Sequence, residues 1–269
     1  EIGMKTPIFH VDSFTVKPFK GNPAGVCLLE QPRDDAWMQA IATEMRLSET
    51  AFLSPKGNDY NLRWFTPSTE VDLCGHATLA SAHILFELGF YDPDETIFFH
   101  TKSGVITATF DHGTIELDMP LIQPVPAEST PLLEEILGQA PLAVAHSEDK
   151  AILLAEIADQ TAVEAFEPDF KKIASLEETD LIITAQATDG KFDFVSRFFS
   201  PRTGIPEDPV TGLGHCILTP YWAPKLNKDK LVAYQASARG GTVWCRLGKD
   251  RVYLAGKAVT LFSGEILRQ

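Results

Sequence analysis

The second half of this 269-residue chain repeats the pattern of its first half. Three pairs of segments match in the same order, about half a chain length apart, whereas solenoid units span only about 20–50 residues. The matched pairs are NLRWFTPST at 61–69 with VSRFFSPRT at 195–203, LSET at 47–50 with LEET at 176–179, and CG at 74–75 with TG at 211–212. The repeat predicts a duplicated domain, and ligand sites favour the cleft where two domains meet.

Strand and helix patterns alternate along both halves. Helical spacing behind a capping aspartate predicts a helix over 34–45, and a second helix is expected over about 75–89. Four prolines between residues 120 and 131 mark the best linker candidate. We therefore expect an α+β chain with an N-terminal lobe at 4–120 and a C-terminal lobe at 121–260, residues 261–269 being able to return to the first lobe.

Composition narrows the classes of function. The formal net charge is −14 and no basic stripe is present, which argues against a nucleic-acid partner and against an anionic membrane surface. No apolar stretch approaches the ~20 residues of a membrane span. The four cysteines stand alone, as is typical of reduced thiols in a cytoplasmic protein. No P-loop, dinucleotide fingerprint or zinc motif appears, so we expect neither a metal nor a cofactor.

The first candidate site is the sequence VDLCGHAT at 71–78, which predicts a turn opening a helix. A helix N-terminus presents unpaired N–H groups and a partial positive charge, so it can hold a carboxylate without Lys or Arg. Gly75 and Ala77 would offer backbone donors there, and His76 could donate to a ligand or exchange a proton with it. The alternative is an ordinary helix start.

The repeat places a second helix start within EDPVTGLGH at 207–215. Asp208 is the expected N-cap, followed by a proline whose missing N–H costs nothing in a first turn. Gly212, Leu213 and Gly214 would then supply backbone donors. The alternative is that Asp208 only caps the helix. Two equivalent helix starts would provide two anion-binding ends for one small anionic substrate.

Glu49 is the candidate acid/base group. It lies where a predicted helix meets an apolar strand, and its neighbours predict the partial burial that suits a proton-transferring carboxylate. A solvated glutamate at a strand end is the alternative. The nearby sequence NPAG at 22–25 is interpreted as a turn, with a loop on the rim of the ligand site as the other possibility.

Taken together, these motifs resemble the PhzF-like (phenazine biosynthesis-like) isomerase family nearly end to end. The matching segments are HVDSF at 10–14 with GNPAG at 21–25, LSETAF at 47–52, TP at 66–67 followed by CGHATL at 74–79, EDPVTG at 207–212, and Gln235 with RGG at 239–241. The resemblance implies the diaminopimelate epimerase-type fold, in which two pseudo-symmetric lobes each wrap a curled, mostly antiparallel sheet around a central helix. It also implies an active site between the lobes and a homodimer.

The same resemblance implies a cofactor-independent isomerase that moves a proton on a small unsaturated carboxylic acid. The family's proton carrier corresponds to Glu49, while His76 and Asp208 match the polar groups that bind and position the substrate. One position departs from the pattern, because the family's Thr-Gly-Ser is here Thr-Gly followed by Leu213. Leucine neither donates nor accepts a hydrogen bond, so a pocket that recognises a hydroxyl group would be left with unpaired polar groups.

Two other functions stay open at this level. Enzymes of the same fold racemise, epimerise or dehydrate amino acids with two opposed thiols, or with a thiol and a threonine, and Cys74 and Thr211 stand at these positions. A cysteine at a helix N-terminus can become a base. The hydroxyl of Thr211 is a poor second base, so this pair fits a dehydratase better than a racemase. The remaining alternative is a non-catalytic protein that binds small molecules or other proteins.

Overall fold

The chain divides into two units in the computed structural model, which describes residues 5–149 and 151–267. The first unit comprises the residues up to Met119 together with those from Ala255 onward, and Pro120–Leu254 form the second. Both units combine helices with strands, which gives the expected α+β class. Within the described ranges, no helix has the length and apolar character needed to cross a membrane.

The first unit is a mostly antiparallel sheet with two helices. Its elements are β1 (Thr6–Ser13), β2 (Asn22–Leu28), α1 (Asp35–Met45), β3 (Glu49–Lys56), β4 (Asp59–Phe65), β5 (Glu70–Val71), α2 (Gly75–Glu87), β6 (Ile97–Thr101), β7 (Gly104–Asp111), β8 (Thr114–Pro120) and β18 (Ala258–Ile266). The strands pair in the order β18–β1–β2–β3–β4–β6–β7–β8, and β5 also pairs with β4. The parallel pairs are β2–β3 and β4–β6. Parallel neighbours need a crossover connection, and α1 and α2 lie in these two crossovers.

Helix α2 is the central helix of the first unit. Its sequence is apolar or small on nearly every side, which is the pattern of a fully buried helix, and it packs against β1, β2, β3 and β18. Helix α1 lies outside the sheet and buries only Met38 and Ala42. The carboxylate of Asp34 accepts the N–H of Trp37 at 2.8 Å, which confirms the predicted cap of this helix.

The second unit contains four α-helices and one 3₁₀ turn among its described residues. Its elements are β9 (Val125–Ala127), α3 (Pro131–Leu137), β10 (Ala143–His146), β11 (Ile152–Glu156), α4 (Gln160–Ala165), α5 (Phe170–Ile173), β12 (Asp180–Gln186), β13 (Phe194–Ser200), the 3₁₀ turn Pro201–Thr203, β14 (Ile205–Asp208), α6 (Gly212–Leu226), β15 (Lys230–Gln235), β16 (Gly241–Leu247) and β17 (Arg251–Gly256), whose end lies past Leu254. Helix α6 is the buried central helix here. The proline-rich segment is more than a linker, because β9 pairs with β10.

The two units share one strand pattern, which confirms the duplication predicted from the sequence. The order β9–β10–β11–β12–β13–β15–β16, with β14 on β13, reproduces the order β18–β1–β2–β3–β4–β6–β7 with β5 on β4. The parallel pairs are again the third and fifth of the series, β11–β12 and β13–β15. Helix α6 follows β14 as α2 follows β5, so Cys74 and Thr211 are equivalent N-cap residues.

A duplicated ion pair marks the same place in both units. Arg63 binds Glu70 through two hydrogen bonds of 2.7 and 2.8 Å, and Arg197 binds Glu207 through two of 2.7 and 2.9 Å. Each guanidinium carbon also lies 5.2 Å from the ring centroid of the phenylalanine next but one along its strand. The repeat therefore preserves a specific interaction as well as a hydrophobic pattern.

Candidate active site

Three candidate residues of the first unit meet at the start of α2. Glu49 is the first residue of β3, Cys74 is the N-cap of α2, and His76 lies in the first helical turn. Glu49 Oε2 is 3.3 Å from His76 Nε2, and Cys74 Sγ is 3.5 Å from His76 Nδ1. The side chain of Glu49 is only 13% exposed and that of His76 only 5%, so the solvated strand-end glutamate considered from the sequence is not what the structure contains.

His76 is neutral at physiological pH. Burial lowers its pKa to about 3, because the charged imidazolium loses its hydration inside the protein. Its backbone carbonyl accepts the hydroxyl of Ser13 at 2.8 Å, which ties the first turn of α2 to the end of β1. Within the described part of the chain, Nε2 has no well-aligned hydrogen-bond partner, since the approach of Glu49 is close without being directional. This buried nitrogen is thus ready to interact with a ligand.

Sequence reasoning assigned Asn22 to a turn, and this assignment is wrong. Asn22 begins β2, pairs with Ser13 across the sheet and is fully buried. The hydroxyl of Ser48 lies 3.2 Å from Asn22 Oδ1, and the next residue along is Glu49. Asn22, Ser13 and Ser48 therefore form the polar surroundings of the Glu49–His76 contact, and the sequence offered only the polarity of these residues as a signal.

The first turn of α2 holds the predicted backbone donors, Gly75 and Ala77. Both residues are buried, and the helix begins at Gly75 as expected. In this part of the described chain, the side chain of Cys74 makes no capping hydrogen bond to the turn. The backbone carbonyl of Cys74 accepts a hydrogen bond from the hydroxyl of Thr78 at 2.5 Å. The first turn of α2 is therefore organised without a side-chain acceptor at its N-cap, which suits it to an external anion.

The candidate residues of the second unit meet at the start of α6. Asp208 ends β14, and its carboxylate accepts the hydroxyl of Thr211 at 2.5 Å. Gln235 fixes this turn from both sides, because its amide nitrogen donates to the carbonyl of Asp208 at 2.7 Å and its amide oxygen accepts the N–H of Thr211 at 2.8 Å. The N-cap is Thr211, so the predicted capping role of Asp208 is wrong, and Pro209 lies before the helix.

Gly212, Leu213 and Gly214 form the first turn of α6, as the sequence predicts. A Cβ atom at Gly214 would lie 3.0 Å from the ring of Phe198, so a larger residue here would press on that ring. His215 follows two residues after Leu213, and one of its two ring nitrogens is already engaged. Its ring is fully buried and its Nδ1 lies 2.7 Å from the carbonyl of Thr211, a hydrogen bond within its own helix turn.

The donor atoms of Glu49, Cys74 and His76 all lie within 4.8 Å of one another, a spacing that a metal site could use. The thiol and the carboxylate, however, approach opposite nitrogens of the imidazole. One ion can take only one of these nitrogens from a single ring. The arrangement therefore fits a chain of polar contacts through the ring better than a shared metal ligand set.

Comparison with known proteins identifies the family. The phenazine biosynthesis-like protein family (PhzC-PhzF) matches residues 11–264, and the chain belongs to this family. An uncharacterized isomerase from Halalkalibacterium halodurans is 50% identical over 265 residues, which cover 98% of this chain and 99% of that protein. The protein is thus an enzyme of the isomerase class.

Solved structures identify the fold. The crystal structure of a PhzF-family phenazine biosynthesis protein from Enterococcus faecalis aligns with a TM-score of 0.92 at 40% identity, over 98% of this chain and 99% of that one. A probable proline racemase from Agrobacterium radiobacter aligns with a TM-score of 0.66 over 98% of this chain and 93% of that one. Its identity is 12%, so it shares the fold alone. These likenesses confirm the epimerase-type fold expected from the sequence.

Proposed function

We propose that this protein is a cofactor-independent isomerase that moves a proton on a small unsaturated carboxylic acid, with Glu49 as the acid/base group. Glu49 would remove a proton made acidic by conjugation and return it to a different carbon of the same molecule. The proton that leaves one carbon is regained at another, so the product is an isomer and no oxidant is needed. A positioned acid/base group contributes roughly 10²–10⁴-fold to such a reaction.

The contact between Glu49 and His76 carries this proposal. With its pKa held at about 3 by burial, His76 cannot store the transferred proton as a cation near neutral pH. The carboxylate of Glu49 is then the member of this pair that changes its protonation state. His76 contributes a neutral hydrogen-bonding group beside it, and the low exposure of both side chains strengthens their electrostatic influence on a bound substrate.

Backbone dipoles would bind the substrate's carboxylate. The first turns of α2 and α6 begin with glycine and have N-cap residues whose side chains are engaged elsewhere. Oriented N–H groups stabilise negative charge that develops during proton removal without any reorganisation at that moment. Local N–H donors are especially needed in a chain of net charge −14, because its overall electrostatic field repels an anionic substrate.

The family resemblance extends the proposal to the second unit. Asp208 is proposed to position the substrate for protonation, and Leu213 to lie beside an apolar part of it. Thr211 and Gln235 support this assignment, because their hydrogen bonds hold the carboxylate and the carbonyl of Asp208 in one orientation. A substrate without a hydroxyl group next to residue 213 is favoured over the phenazine precursor class.

The competing chemistry, with Cys74 as the base, is less favoured by the electrostatics. A thiolate paired with His76 would require a protonated imidazole, and burial disfavours that cation. Cys74 is itself buried. Thr211, its counterpart in the repeat, donates its hydroxyl to Asp208 and so is engaged in a hydrogen bond.

Proton exchange tests the proposal without knowledge of the product. A panel of small unsaturated and 2-amino carboxylic acids is incubated with the protein in D₂O, and loss of C–H signals is followed by NMR. Glu49→Gln keeps the size of the side chain but cannot accept the proton, so exchange should fall at least 10²-fold, or about 2.7 kcal/mol. Glu70→Gln, which alters a carboxylate bound to Arg63, is the matched control and should leave exchange unchanged.

Cys74→Ala distinguishes the rival mechanisms in the same assay. In our proposal this variant loses less activity than Glu49→Gln. The reverse order would place the enzyme with the thiol-dependent members of the fold and make Glu49 structural. Wild-type protein that binds several acids but exchanges none would favour the non-catalytic binding function.

A homodimer and a cytoplasmic location belong to the proposal as well. The dimer rests on the family resemblance, and light scattering after gel filtration tests it. The cysteines support a reducing location, since all four are buried and none forms a disulfide among the described residues, and burial raises the pKa of Cys27, Cys216 and Cys245. Such thiols are inert.

A further inference from the structure

The ring of His76 is held between two side chains of different chemistry. Cys74 approaches Nδ1 at 3.5 Å, which is hydrogen-bonding distance for sulfur, and Glu49 approaches Nε2 at 3.3 Å. A neutral imidazole carries a single N–H, so one nitrogen donates and the other accepts. Which nitrogen carries the proton decides what His76 offers to a substrate.

The two neighbours favour the same tautomer. An ionised Glu49 is an acceptor only, so it attracts a proton on Nε2 and repels a lone pair there. A thiol is a weak donor and a weaker acceptor, so Cys74 favours a lone pair on Nδ1. With the proton on Nε2, the thiol can donate to Nδ1, and the carboxylate lies beside an N–H that attracts it although the approach is not directional. With the proton on Nδ1, the lone pair of Nε2 would face the carboxylate.

We propose that Cys74 is a positioning residue, whose thiol donates to Nδ1 of His76 and so keeps the ring proton on Nε2, beside Glu49. This role deepens the proposed function and rests on the place given there to His76 as a neutral donor. Cys74 itself exchanges no proton with the substrate. It acts only through the imidazole.

The role matters most in the middle of the reaction. Once Glu49 has taken the substrate's proton, the carboxyl group no longer selects a proton on Nε2. The thiol still does, because its contact with Nδ1 does not involve the reacting atoms. The N–H on Nε2 thus stays available to stabilise the charge that has developed on the substrate.

The repeat supports a donor role at this position. Thr211, the equivalent N-cap, donates its hydroxyl to Asp208 instead of capping its helix. In both units the N-cap side chain therefore contacts a candidate functional group. Serine at position 74 should reproduce the donor, since a hydroxyl both donates and accepts.

Nitrogen-15 NMR of labelled histidine reads the tautomer directly, in protein without substrate. The experiment uses the Glu49→Gln background, because an amide can donate or accept and so no longer selects a tautomer. There His76 should keep its proton on Nε2. Adding Cys74→Ala should raise the ratio of Nδ1–H to Nε2–H about two- to threefold, which corresponds to the loss of one hydrogen bond at the weak end of the usual range. Adding Cys74→Ser should restore the original ratio.

Two results would overturn the inference. One is a proton on Nδ1 of His76 in the wild-type protein. The other is the same tautomer ratio with cysteine, serine and alanine at position 74. Exchange activity adds a second readout on single variants, where Cys74→Ser should retain activity that Cys74→Ala loses, and equal losses would count against the positioning role. The tautomer measurement needs no turnover, so the failure of Glu49 as the acid/base would leave it interpretable.

Discussion

The hydroxyl of Thr211 donates a 2.5 Å hydrogen bond to the carboxylate of Asp208, three residues before it, and makes no capping bond to its own helix among the described residues. Cap residues ordinarily satisfy the first turn, and removing that bond costs about 1 kcal/mol. Here the side chain instead orients a carboxylate. Helix α6 therefore lacks the stabilisation of a side-chain cap, while the carboxylate of Asp208 is held in one orientation. This arrangement is expected where a group must keep one orientation for function.

Thr211→Val should impair the enzyme more than it destabilises the fold. Valine keeps the shape but removes the donor, and a hydrogen bond to a charged group contributes about 1.5–3 kcal/mol. We expect a ten- to hundredfold loss of kcat/KM once a substrate is identified. Thr211→Ser keeps the hydroxyl and should lose less than threefold. Equal losses in both variants would mean that the methyl group, not the hydroxyl, is what matters.

Leu213→Ser should change which substrates are accepted. A hydroxyl at this position offers a donor and an acceptor where the present side chain offers neither. Carboxylic acids that carry an extra hydroxyl should gain at least tenfold in kcat/KM relative to those without it, in line with the cost of leaving polar groups unpaired. Leu213→Ala is the control, since it opens the same space without a polar group. A gain of similar size with alanine would show that space alone limits the substrate.

The buried histidines predict a stability that falls with acidification. Burial lowers the pKa of His76 to about 3 and that of His215 to about 4, from 6.5 in an unfolded chain. Between its folded and unfolded pKa values, each histidine binds a proton in the unfolded state but not in the folded state. Its contribution to the free energy of unfolding is therefore complete above pH 6.5 and is lost as the pH falls. The slope is about 1.4 kcal/mol per pH unit for each residue. Unfolding in urea at a series of pH values measures it.

A non-titrating replacement isolates one of these contributions. His215→Gln should remove about half of the slope between pH 6.5 and 4.5, apart from a constant loss from repacking. His112→Gln, at a side chain that is 96% exposed, is the control for the substitution itself. An undiminished slope in His215→Gln would assign the acid sensitivity to carboxylates instead.

The duplicated ion pairs should differ in their effect on stability. Arg197 is 10% exposed and also donates to the carbonyl of Phe166, whereas Arg63 is 29% exposed and has Asp35 as a second partner. Glu207→Gln leaves a buried cation without its carboxylate and should cost about 3 kcal/mol. Glu70→Gln should lower the free energy of unfolding by about 1 kcal/mol, because Arg63 remains partly hydrated and keeps Asp35 as a second carboxylate partner. Calorimetric unfolding of the two variants makes the comparison, and equal losses would contradict it.

Much of the fold could be predicted because the repeat preserves residues with a fixed structural task. Arg63 and Arg197 stand at matching places in the sequence and bind matching glutamates. Apolar runs around Gly75 and Gly212 mark two helices too apolar for a surface position. Such features are local, and each unit builds them by the same rules.

The contacts around the site were harder to predict, because they depend on strand pairing. Asn22 lies in a sequence typical of a turn, yet pairing with Ser13 makes it the start of β2. Asp208 is a residue type that often caps helices, but α6 begins four residues later, with Thr211 as its N-cap. No local pattern separates an aspartate that caps a helix from one that accepts a threonine hydroxyl.

The pairing of β1 with β18 imposes an order on assembly. Thr6 at one end of this ladder is the partner of Ile266, and the whole of the second unit lies between them in the chain. The second unit is continuous, so its contacts can form while the polypeptide is still being synthesised. The sheet of the first unit cannot be completed until β18 has been made. During translation, the apolar sides of β1 and α2 must therefore remain shielded or partly folded until that last strand arrives.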